Sequence, residues 1–142
     1  MECEFPRENA TTEEIKEILQ NNKTIAIVGL SADEEKDSYR VAKYMKQHGY
    51  RIIPVNPKYT NILGEKCYPD LKSIPEKIDI VDIFRKPDAI PAIVEESLET
   101  GTKVIWMQLG LCSNASAEKA RYAGIKVVMN KCIKVEHANI NR

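Results

Sequence analysis

Five short runs of apolar residues, each followed by a segment of different character, constrain the fold of this chain more than any other feature of its sequence. The runs are rich in valine and isoleucine, and the first lacks the polar–apolar alternation of a half-exposed strand. They therefore predict strands that are covered on both faces. Pro54 indicates that the second strand is bent or only partly paired. The predicted strands lie at residues 24–30, 51–55, 78–84, 103–107 and 126–129.

Segments with apolar residues at helical spacing separate these strands. The capping-box pattern of Thr11 and Glu14 predicts a short N-terminal helix over about residues 12–20. Further helices, each ending at a glycine, are predicted at residues 40–48, 87–101 and 115–123. Residues 57–77 are expected to form mostly a crossover loop, and residues 133–137 a last short strand or helix.

The alternation of strands and helices with short links predicts the fold class. Strands of this kind form a parallel sheet with helices on both faces, and right-handed crossovers make it doubly wound. We expect an α/β protein with a Rossmann-like, mostly parallel five-stranded sheet in a three-layer α/β/α arrangement. The sequence contains no repeat or low-complexity linker, so residues 1–142 are predicted to form a single domain.

Composition excludes several classes of protein. The chain has 21 basic and 21 acidic residues, a balance that argues against holding nucleic acid or a membrane surface by bulk electrostatics. Its apolar runs are far shorter than the roughly 20 residues of a membrane helix, and the N-terminus lacks the pattern of a signal peptide. Cys3, Cys67, Cys112 and Cys132 form no C-x-x-C pair, which predicts neither a metal site nor a disulfide scaffold. We expect a soluble, cytoplasmic protein with reduced thiols.

Cationic side chains follow the predicted strands, at the edge where a doubly wound sheet binds its ligand. Cations beside a helix N-terminus suit a phosphate-bearing ligand, because backbone N–H groups and the helix dipole add to their charge. The plainer alternatives are that several of these lysines are merely solvated and that Gly29 is only a small residue where a strand turns into a loop. The seven cations are Lys36, Arg40, Lys58, Arg85, Lys86, Lys131 and Lys134.

The phosphate ligand is not indicated by a standard glycine motif. The first loop contains Gly29 but lacks G-x-G-x-x-G, and no G-K-[ST] of a P-loop occurs. The second strand is followed by Asn56, Pro57 and Lys58, where NAD-binding proteins carry an acidic residue for the ribose. An amide beside a lysine tolerates a phosphorylated ribose, so the residues favour NADP or coenzyme A over NAD.

Seven motifs, spread in order over about residues 12–138, carry a resemblance to a known family. They are Ile27-Val-Gly-Leu-Ser31, Ser38-Tyr-Arg-Val-Ala-Lys43, Gly49-Tyr-Arg-Ile-Ile-Pro-Val-Asn-Pro57, Gly64-Glu-Lys-Cys-Tyr-Pro69, Asp79-Ile-Val-Asp-Ile-Phe-Arg85, Trp106-Met-Gln-Leu-Gly110 and Lys131-Cys-Ile-Lys-Val-Glu-His137. Together they resemble the small stand-alone CoA-binding proteins. These are similar to the CoA-binding domain of the succinyl-CoA synthetase α subunit and of acyl-CoA synthetases that form ADP.

The resemblance implies that coenzyme A is the cofactor and assigns residues to it. By matching motif, Gly29, Leu30, Ser31 and Arg40 would face the nucleotide phosphates, and Asn56, Pro57 and Lys58 would lie near the 3′-phosphate or ribose. Phe84 and Arg85 would flank the adenine or diphosphate, and Gln108 and Gly110 would lie along the pantetheine. Their position at the predicted edge adds Lys36, Lys131 and Cys132 to the cofactor-binding residues.

Catalytic residues are not indicated. His48 lies in the last turn of a predicted helix, where a cation complements the dipole, and His137 is expected to orient or cap a terminal segment. No nucleophile has a visible base, so no hydrolase triad is predicted. Nearby cations lower the pKa of a thiol, so Cys132 could form a mixed disulfide with CoA, although a buried structural role is the simpler interpretation. Trp106 and Met107 are expected in the core.

These observations favour a non-catalytic protein that binds CoA or an acyl-CoA as a carrier, sensor or regulatory subunit. The larger synthetases use a phosphorylated histidine in a separate domain, which we do not expect in this chain, so the resemblance implies no reaction. The alternatives are a small NADP-dependent oxidoreductase, and an interaction module that has lost its ligand. We expect a small-molecule ligand and no nucleic acid or membrane partner; a homodimer is compatible with the sequence.

Overall fold

A parallel sheet of five strands lies at the centre of the computed structural model, which describes residues 5–141. Cys3 lies outside the described residues. The helices are α1 (Thr12–Asn21), α2 (Asp37–Gln47), α3 (Ile90–Glu99, preceded by a 3₁₀ turn at Pro87–Ala89), α4 (Asn114–Tyr122) and α5 (Ile133–Ile140). The strands are β1 (Thr24–Val28), β2 (Arg51–Val55), β3 (Asn61–Ile62), β4 (Glu65–Lys66), β5 (Ile80–Ile83), β6 (Val104–Met107) and β7 (Lys126–Val128).

The order of the strands in the sheet is β2-β1-β5-β6-β7, and all neighbours pair in parallel. The chain therefore moves outward from β1 to β2 and then crosses back to place β5 on the other side of β1. The order of the strands reverses between β1 and β5, which is where open α/β sheets bind their ligands. The predicted Rossmann-like fold with five parallel strands is confirmed.

Helices cover both faces of the sheet, and each strand contributes to both cores because its alternate residues point to opposite sides. Ile25 and Ile27 of β1 pack into a core that also contains buried residues of α1, α2 and α5. Ala26 and Val28 pack into a second core with residues of α3 and α4. This arrangement explains why β1 reads as a continuous apolar run. Trp106 and Met107 are fully buried, as predicted.

Pro54 is accommodated because β2 is an edge strand. All five residues of β2 pair with β1, so the strand is not interrupted at the proline. The Pro54 carbonyl accepts a hydrogen bond from Tyr68 N at 3.0 Å on the outer side of β2. The nitrogen of a strand residue points to the same side as its carbonyl, so the missing N–H faces away from β1.

The predicted crossover loop contains a two-stranded hairpin that the sequence did not predict. Its strands β3 and β4 pair at Asn61 with Lys66 and at Ile62 with Glu65. The turn is formed by Leu63 and Gly64, both with positive φ. Turns of this kind are normally recognised in a sequence by Asn-Gly or Asp-Gly. Leucine is rare at positive φ, so the sequence carried no signal for the turn.

Helix bounds differ from the predictions at two places that matter for the site. Helix α2 begins at Asp37 rather than Arg40, and the last element, predicted as a short strand or helix, is the helix α5, which extends to Ile140. The capping box of α1 is present: Glu14 N donates to Thr11 Oγ1 at 3.2 Å, and Thr11 N donates to Glu14 Oε1 at 3.0 Å. Between residues 5 and 141, no helix combines the length and apolar character needed to span a bilayer.

Both histidines belong to an aromatic cluster that joins α2 to α5. His137 is buried, and its Nδ1 lies 2.8 Å from the hydroxyl oxygen of Tyr44. His48 stacks on Tyr44 with ring centroids 4.0 Å apart, and Tyr50 meets His137 edge-on at 5.5 Å. Burial, followed by the nearby His48 and Lys23, lowers the pKa of His137.

Candidate functional site

The loops that follow β1 and β5 meet at Gly29. This glycine has φ +90°, and a Cβ atom built on it would overlap the carbonyl oxygen of Phe84 and lie 2.8 Å from Cδ of Arg85. Gly29 N donates to Val55 O at 2.9 Å, and Phe84 N donates to Val28 O at 2.8 Å. The absence of a side chain thus lets two loops touch at the point where the strand order reverses. A strand-to-loop glycine is required here for packing.

A cavity of about 710 Å³ opens above the carboxyl ends of β1, β2 and β5. Its lining is mostly polar and comes from the loops after these strands and from the start of α2. The lining residues are Gly29, Ser31, Asp33, Lys36, Asp37, Ser38, Asn56, Pro57, Lys58, Tyr59, Phe84 and Arg85. We call it the polar cavity.

A second cavity, of about 750 Å³, opens between the loops after β5 and β6 and the start of α5. Its walls include several aliphatic side chains, and we call it the apolar cavity. The lining residues are Asp37, Arg40, Val41, Phe84, Arg85, Lys86, Gln108, Leu109, Leu111, Cys132, Lys134 and Val135. The two cavities share Asp37, Phe84 and Arg85, so they adjoin along the edge of the sheet.

The two cavities bring together most of the residues that the sequence singled out. The polar cavity contains Gly29, Ser31, Lys36, Asn56, Pro57 and Lys58, and the apolar cavity contains Arg40, Gln108 and Cys132, with Phe84 and Arg85 in both. Three predicted residues are not brought to either cavity. The side chain of Leu30 is fully buried in the core, and Gly110 and Lys131 are absent from both linings.

The site is electropositive despite the neutral net charge of the chain. Six cationic side chains and two carboxylates line the two cavities. The cations are Lys36, Arg40, Lys58, Arg85, Lys86 and Lys134, and the acids are Asp33 and Asp37. Arg40 is turned toward its own loop, since its guanidinium lies 3.3 Å from Asp37 Oδ1 and donates to Glu35 O at 2.6 Å.

The N-terminus of α2 opens on the polar cavity. Asp37 and Ser38, its first two residues, line that cavity. Within residues 5–141, no side chain caps the helix at Lys36 by a hydrogen bond. Ser31 N donates to Ser38 Oγ at 3.1 Å, which ties the loop after β1 to the helix. The N-terminal end of α2 favours an anion in the polar cavity, and the carboxylate of Asp37 in its first turn opposes one.

Asn56 and Gln108 hold the loops of the site rather than pointing free groups into it. Asn56 Nδ2 donates to Leu30 O at 3.0 Å, and its Oδ1 accepts from Lys58 N at 3.0 Å. Gln108 is almost fully buried, and its Oε1 accepts from Ile133 N at 3.2 Å, in the first turn of α5. Both side chains therefore join separate segments at the edge of the sheet. Sequence reasoning placed them at the site, and the structure shows how they shape it.

Several lining residues were missed by sequence reasoning. Tyr59 lies in the segment predicted to be mostly a crossover loop, and Val135 lies in the segment predicted as either a strand or a helix, which left the direction of its side chain open. Leu109 is 71% exposed, and its position in the loop after the fourth predicted strand was the signal that could have found it. The missed residues are Asp33, Asp37, Ser38 and Tyr59 in the polar cavity, and Val41, Leu109, Leu111 and Val135 in the apolar cavity.

Cys132 is half-buried at the start of α5 and lines the apolar cavity. Its reaction with CoA stays a prediction. Cys67 and Cys112 are buried, and burial raises the pKa of the Cys67 thiol. In the part of the chain between residues 5 and 141, no group of three or more side chains suited to a metal ion occurs.

Asp82 is a buried carboxyl in the middle of the sheet. It lies in β5, between Ile27 of β1 and Trp106 of β6, and it is fully buried. Neither carboxyl oxygen has a hydrogen-bond partner among the described residues. Burial raises the pKa of Asp82 well above its ordinary value. Asp82 lines neither cavity, so it is a feature of the core below the site.

Comparisons with known proteins identify a family and several similar chains. Residues 23–138 match the family described as CoA binding domain. The chain is 45% identical over 131 residues to the uncharacterized protein YneT of Bacillus subtilis, covering 92% of this chain and 97% of that protein. It is 29% identical over 127 residues to the ADP-forming acetate–CoA ligase of Methanocaldococcus jannaschii, covering 84% of this chain but only 18% of the enzyme.

Solved structures show the same fold. A hypothetical protein from Pyrococcus horikoshii OT3 superposes with a TM-score of 0.92 at 42% identity, over 100% of both chains. The dinucleotide-forming acetyl-coenzyme A synthetase 1 of Ca. Korarchaeum cryptofilum, in complex with phosphate and ADP, has a TM-score of 0.70 at 25% identity. That match covers 78% of this chain and 26% of the enzyme.

Proposed function

The chain belongs to the CoA-binding domain family, as its motifs predicted, and from this premise we propose that it binds coenzyme A or an acyl-CoA across the polar and apolar cavities. In this proposal the protein is a non-catalytic carrier, sensor or regulatory protein. A cytoplasmic location, expected from the sequence, stays a prediction.

The observation that carries the proposal is the pairing of two unlike cavities along one edge of the sheet. Coenzyme A has an anionic nucleotide half with three phosphates and a long, largely neutral pantetheine half. The polar cavity offers Lys36, Lys58 and Arg85, whereas the adjoining apolar cavity offers aliphatic walls. A ligand with two halves of this kind matches both cavities at once.

The nucleotide half would lie in the polar cavity. The uncapped N-terminus of α2 and the cation of Lys36 would face phosphate, because backbone N–H groups and the helix dipole favour an anion. Lys58, held beside Asn56 by the hydrogen bond from its backbone, would meet the 3′-phosphate. Gly29 would keep the loop that carries Phe84 and Arg85 packed against the loop after β1. The pantetheine would then pass Phe84 and Arg85 into the apolar cavity.

A thermal and calorimetric titration with CoA, dephospho-CoA, NADP, NAD and ADP tests the proposal. A ligand present at a thousand times its Kd stabilises the folded state by about 4 kcal/mol. We expect CoA to stabilise the protein most, and dephospho-CoA less, because Lys58 loses its phosphate partner. Stabilisation by NADP but not by CoA would instead favour the oxidoreductase, and no response to any of the five would favour an interaction module.

The variant Lys58→Ala sharpens that test. It should reduce the affinity for CoA more than the affinity for dephospho-CoA, because only CoA carries the 3′-phosphate that Lys58 is proposed to contact. Lys77→Ala is the matched control, since Lys77 is exposed and outside both cavities. Equal losses for the two ligands in Lys58→Ala would reject this assignment of Lys58.

A further inference from the structure

Exposed apolar side chains gather at the mouth of the apolar cavity. Among the described residues, four large hydrophobic side chains are exposed, namely Phe5, Leu109, Tyr122 and Val135. Two of these line this cavity: Leu109, 71% exposed, in the loop after β6, and Val135, 50% exposed, on α5. Clusters of exposed apolar side chains in a concave site mark a surface that a ligand or partner covers.

The interior of the same cavity is aliphatic as well. Val41 of α2 and Leu111 after β6 are nearly buried, and both contribute to its lining. Three separate segments thus present branched aliphatic side chains to one space of about 750 Å³. The cavity adjoins the polar cavity at Phe84 and Arg85, so a ligand held by its phosphates could extend into it.

From these contacts we infer that the apolar cavity takes the acyl chain of a CoA thioester, and that this chain is aliphatic, several carbons long and without a charged end. The inference rests on the proposed binding of CoA. Pantetheine, a narrow chain with two amide groups, would occupy the part of the cavity next to Phe84 and Arg85, and the group on its sulfur would cover the exposed Leu109 and Val135. An aliphatic acyl chain removes those side chains from water.

Four cations line the cavity, and none favours a carboxylate at the end of the acyl chain; Lys86 is exposed, where an ion pair contributes little. Arg40 is occupied by Asp37 and by the carbonyl of Glu35. Lys134 places its ammonium 5.5 Å from the centre of the Tyr44 ring. Arg85 also borders the polar cavity, where the diphosphate is proposed to lie. The apolar character of Leu109, Leu111 and Val135 therefore decides the class of acyl group.

Calorimetric titration of the full chain with CoA, acetyl-CoA, butyryl-CoA, hexanoyl-CoA and succinyl-CoA tests the inference. A fully buried methylene strengthens binding about fourfold. We expect affinity to rise from acetyl-CoA through butyryl-CoA to hexanoyl-CoA, with hexanoyl-CoA binding at least about tenfold more tightly than CoA, which needs only two buried methylenes. Succinyl-CoA should bind more weakly than butyryl-CoA, because its carboxylate loses hydration without gaining a dedicated partner.

Variants at the mouth of the cavity locate the effect. Leu109→Ser and Val135→Ser should each reduce the ratio of hexanoyl-CoA affinity to CoA affinity severalfold. Tyr122→Ser is the matched control, because Tyr122 is also exposed but lies at the end of α4, outside the cavity. That variant should keep the ratio of the unchanged protein.

Three results would overturn the inference. Equal binding of CoA and hexanoyl-CoA would reject the acyl site and leave the proposed CoA binding intact. Tighter binding of succinyl-CoA than of butyryl-CoA would show that charge, and not apolar surface, selects the acyl group. Failure of CoA and every thioester to bind would reject the proposed function itself, together with the inference that rests on it.

Discussion

Gly29 occupies a position whose backbone conformation and close contacts suit no other residue. Its φ of +90° costs an ordinary residue about 1–2 kcal/mol, and a Cβ atom would also overlap the carbonyl of Phe84. The loops after β1 and β5 begin at the ends of two neighbouring, hydrogen-bonded strands. They therefore cannot separate without breaking the hydrogen bond from Phe84 N to Val28 O. The glycine therefore determines how closely the two halves of the site approach.

We expect Gly29→Ala to lower the free energy of unfolding by about 3 kcal/mol or more, because the overlap adds to the cost of positive φ. Gly49→Ala is the control: Gly49 has the same φ of +90°, but nothing lies within 4 Å of a Cβ built there. It should lose only about 1–2 kcal/mol. Urea denaturation measures the free energy of unfolding of both variants. Equal losses in the two would mean that the loops after β1 and β5 can move apart to accommodate the Cβ atom.

Asp82 shows that a carboxyl group can be retained in the core without a partner. With both oxygens unpartnered among residues 5–141 and the residue fully buried, the protonated form is strongly favoured. Burial raises its pKa in the folded state above that in the unfolded chain. Its contribution to stability is therefore complete below the unfolded pKa of about 3.9 and is lost as the pH rises toward the folded pKa.

The variant Asp82→Asn should remove this dependence. Relative to the variant, the free energy of unfolding of the unchanged protein should fall by up to about 1.4 kcal/mol for each pH unit of increase, between about pH 4 and the folded pKa. Denaturation of both proteins at several pH values between 4 and 9 measures the difference, which cancels the titration of other groups. A difference that does not vary with pH would show that Asp82 is not held protonated by burial.

Helix α5 is the element that completes the apolar cavity. It contributes Lys134 and Val135 to the lining, and Cys132 lies at its N-terminal cap. The first turn of α5 is held by Gln108, and its last turn by the contacts of His137 with Tyr44. The cavity therefore depends on how firmly this short helix docks on α2 and β6.

Acid should loosen α5. Burial, His48 and Lys23 lower the pKa of His137 below its ordinary value of about 6.5. The stability that His137 contributes is thus complete above about pH 6.5 and is lost as the pH falls through the folded pKa. We expect faster hydrogen exchange of α5 amides at pH 5 than at pH 7, after correction for the intrinsic rate.

The matched control for α5 is α4, a helix of similar length without histidine. Its corrected exchange should change less between the two pH values. His137→Gln should abolish the extra exchange of α5 at low pH, since glutamine can still form a hydrogen bond with the Tyr44 hydroxyl but does not titrate. Unchanged α5 exchange between pH 7 and pH 5 in the original protein would contradict the prediction.

At the scale of elements, the prediction from sequence succeeded where the local pattern was strong. The capping box of Thr11 predicted α1, and the five apolar runs predicted the five strands of the central sheet. It failed at β3 and β4, because strands of two residues show no periodicity and Leu63 is not a turn residue. It left α5 undecided, because a segment of eight residues is too short for helical spacing to stand out.

At the scale of the whole molecule, the neutral net charge conceals an uneven distribution. The 21 basic and 21 acidic residues cancel, but the folded chain places six cations and only two carboxylates around the two cavities. Local charge in a cleft, rather than net charge, determines which ligands are attracted. A chain with no net charge can therefore still present an electropositive cleft.

The sequence alone determined the fold class, the five strands of the central sheet and four of the helices, and it predicted the edge at which the site lies. Strand and helix periods are local properties, and the carboxyl ends of parallel strands must share one edge. Only the tertiary structure decided that Leu30 is buried, that Asn56 and Gln108 join loops, and that Val135 completes a cavity. These outcomes depend on contacts between residues far apart in the chain, which packing determines and no local pattern records.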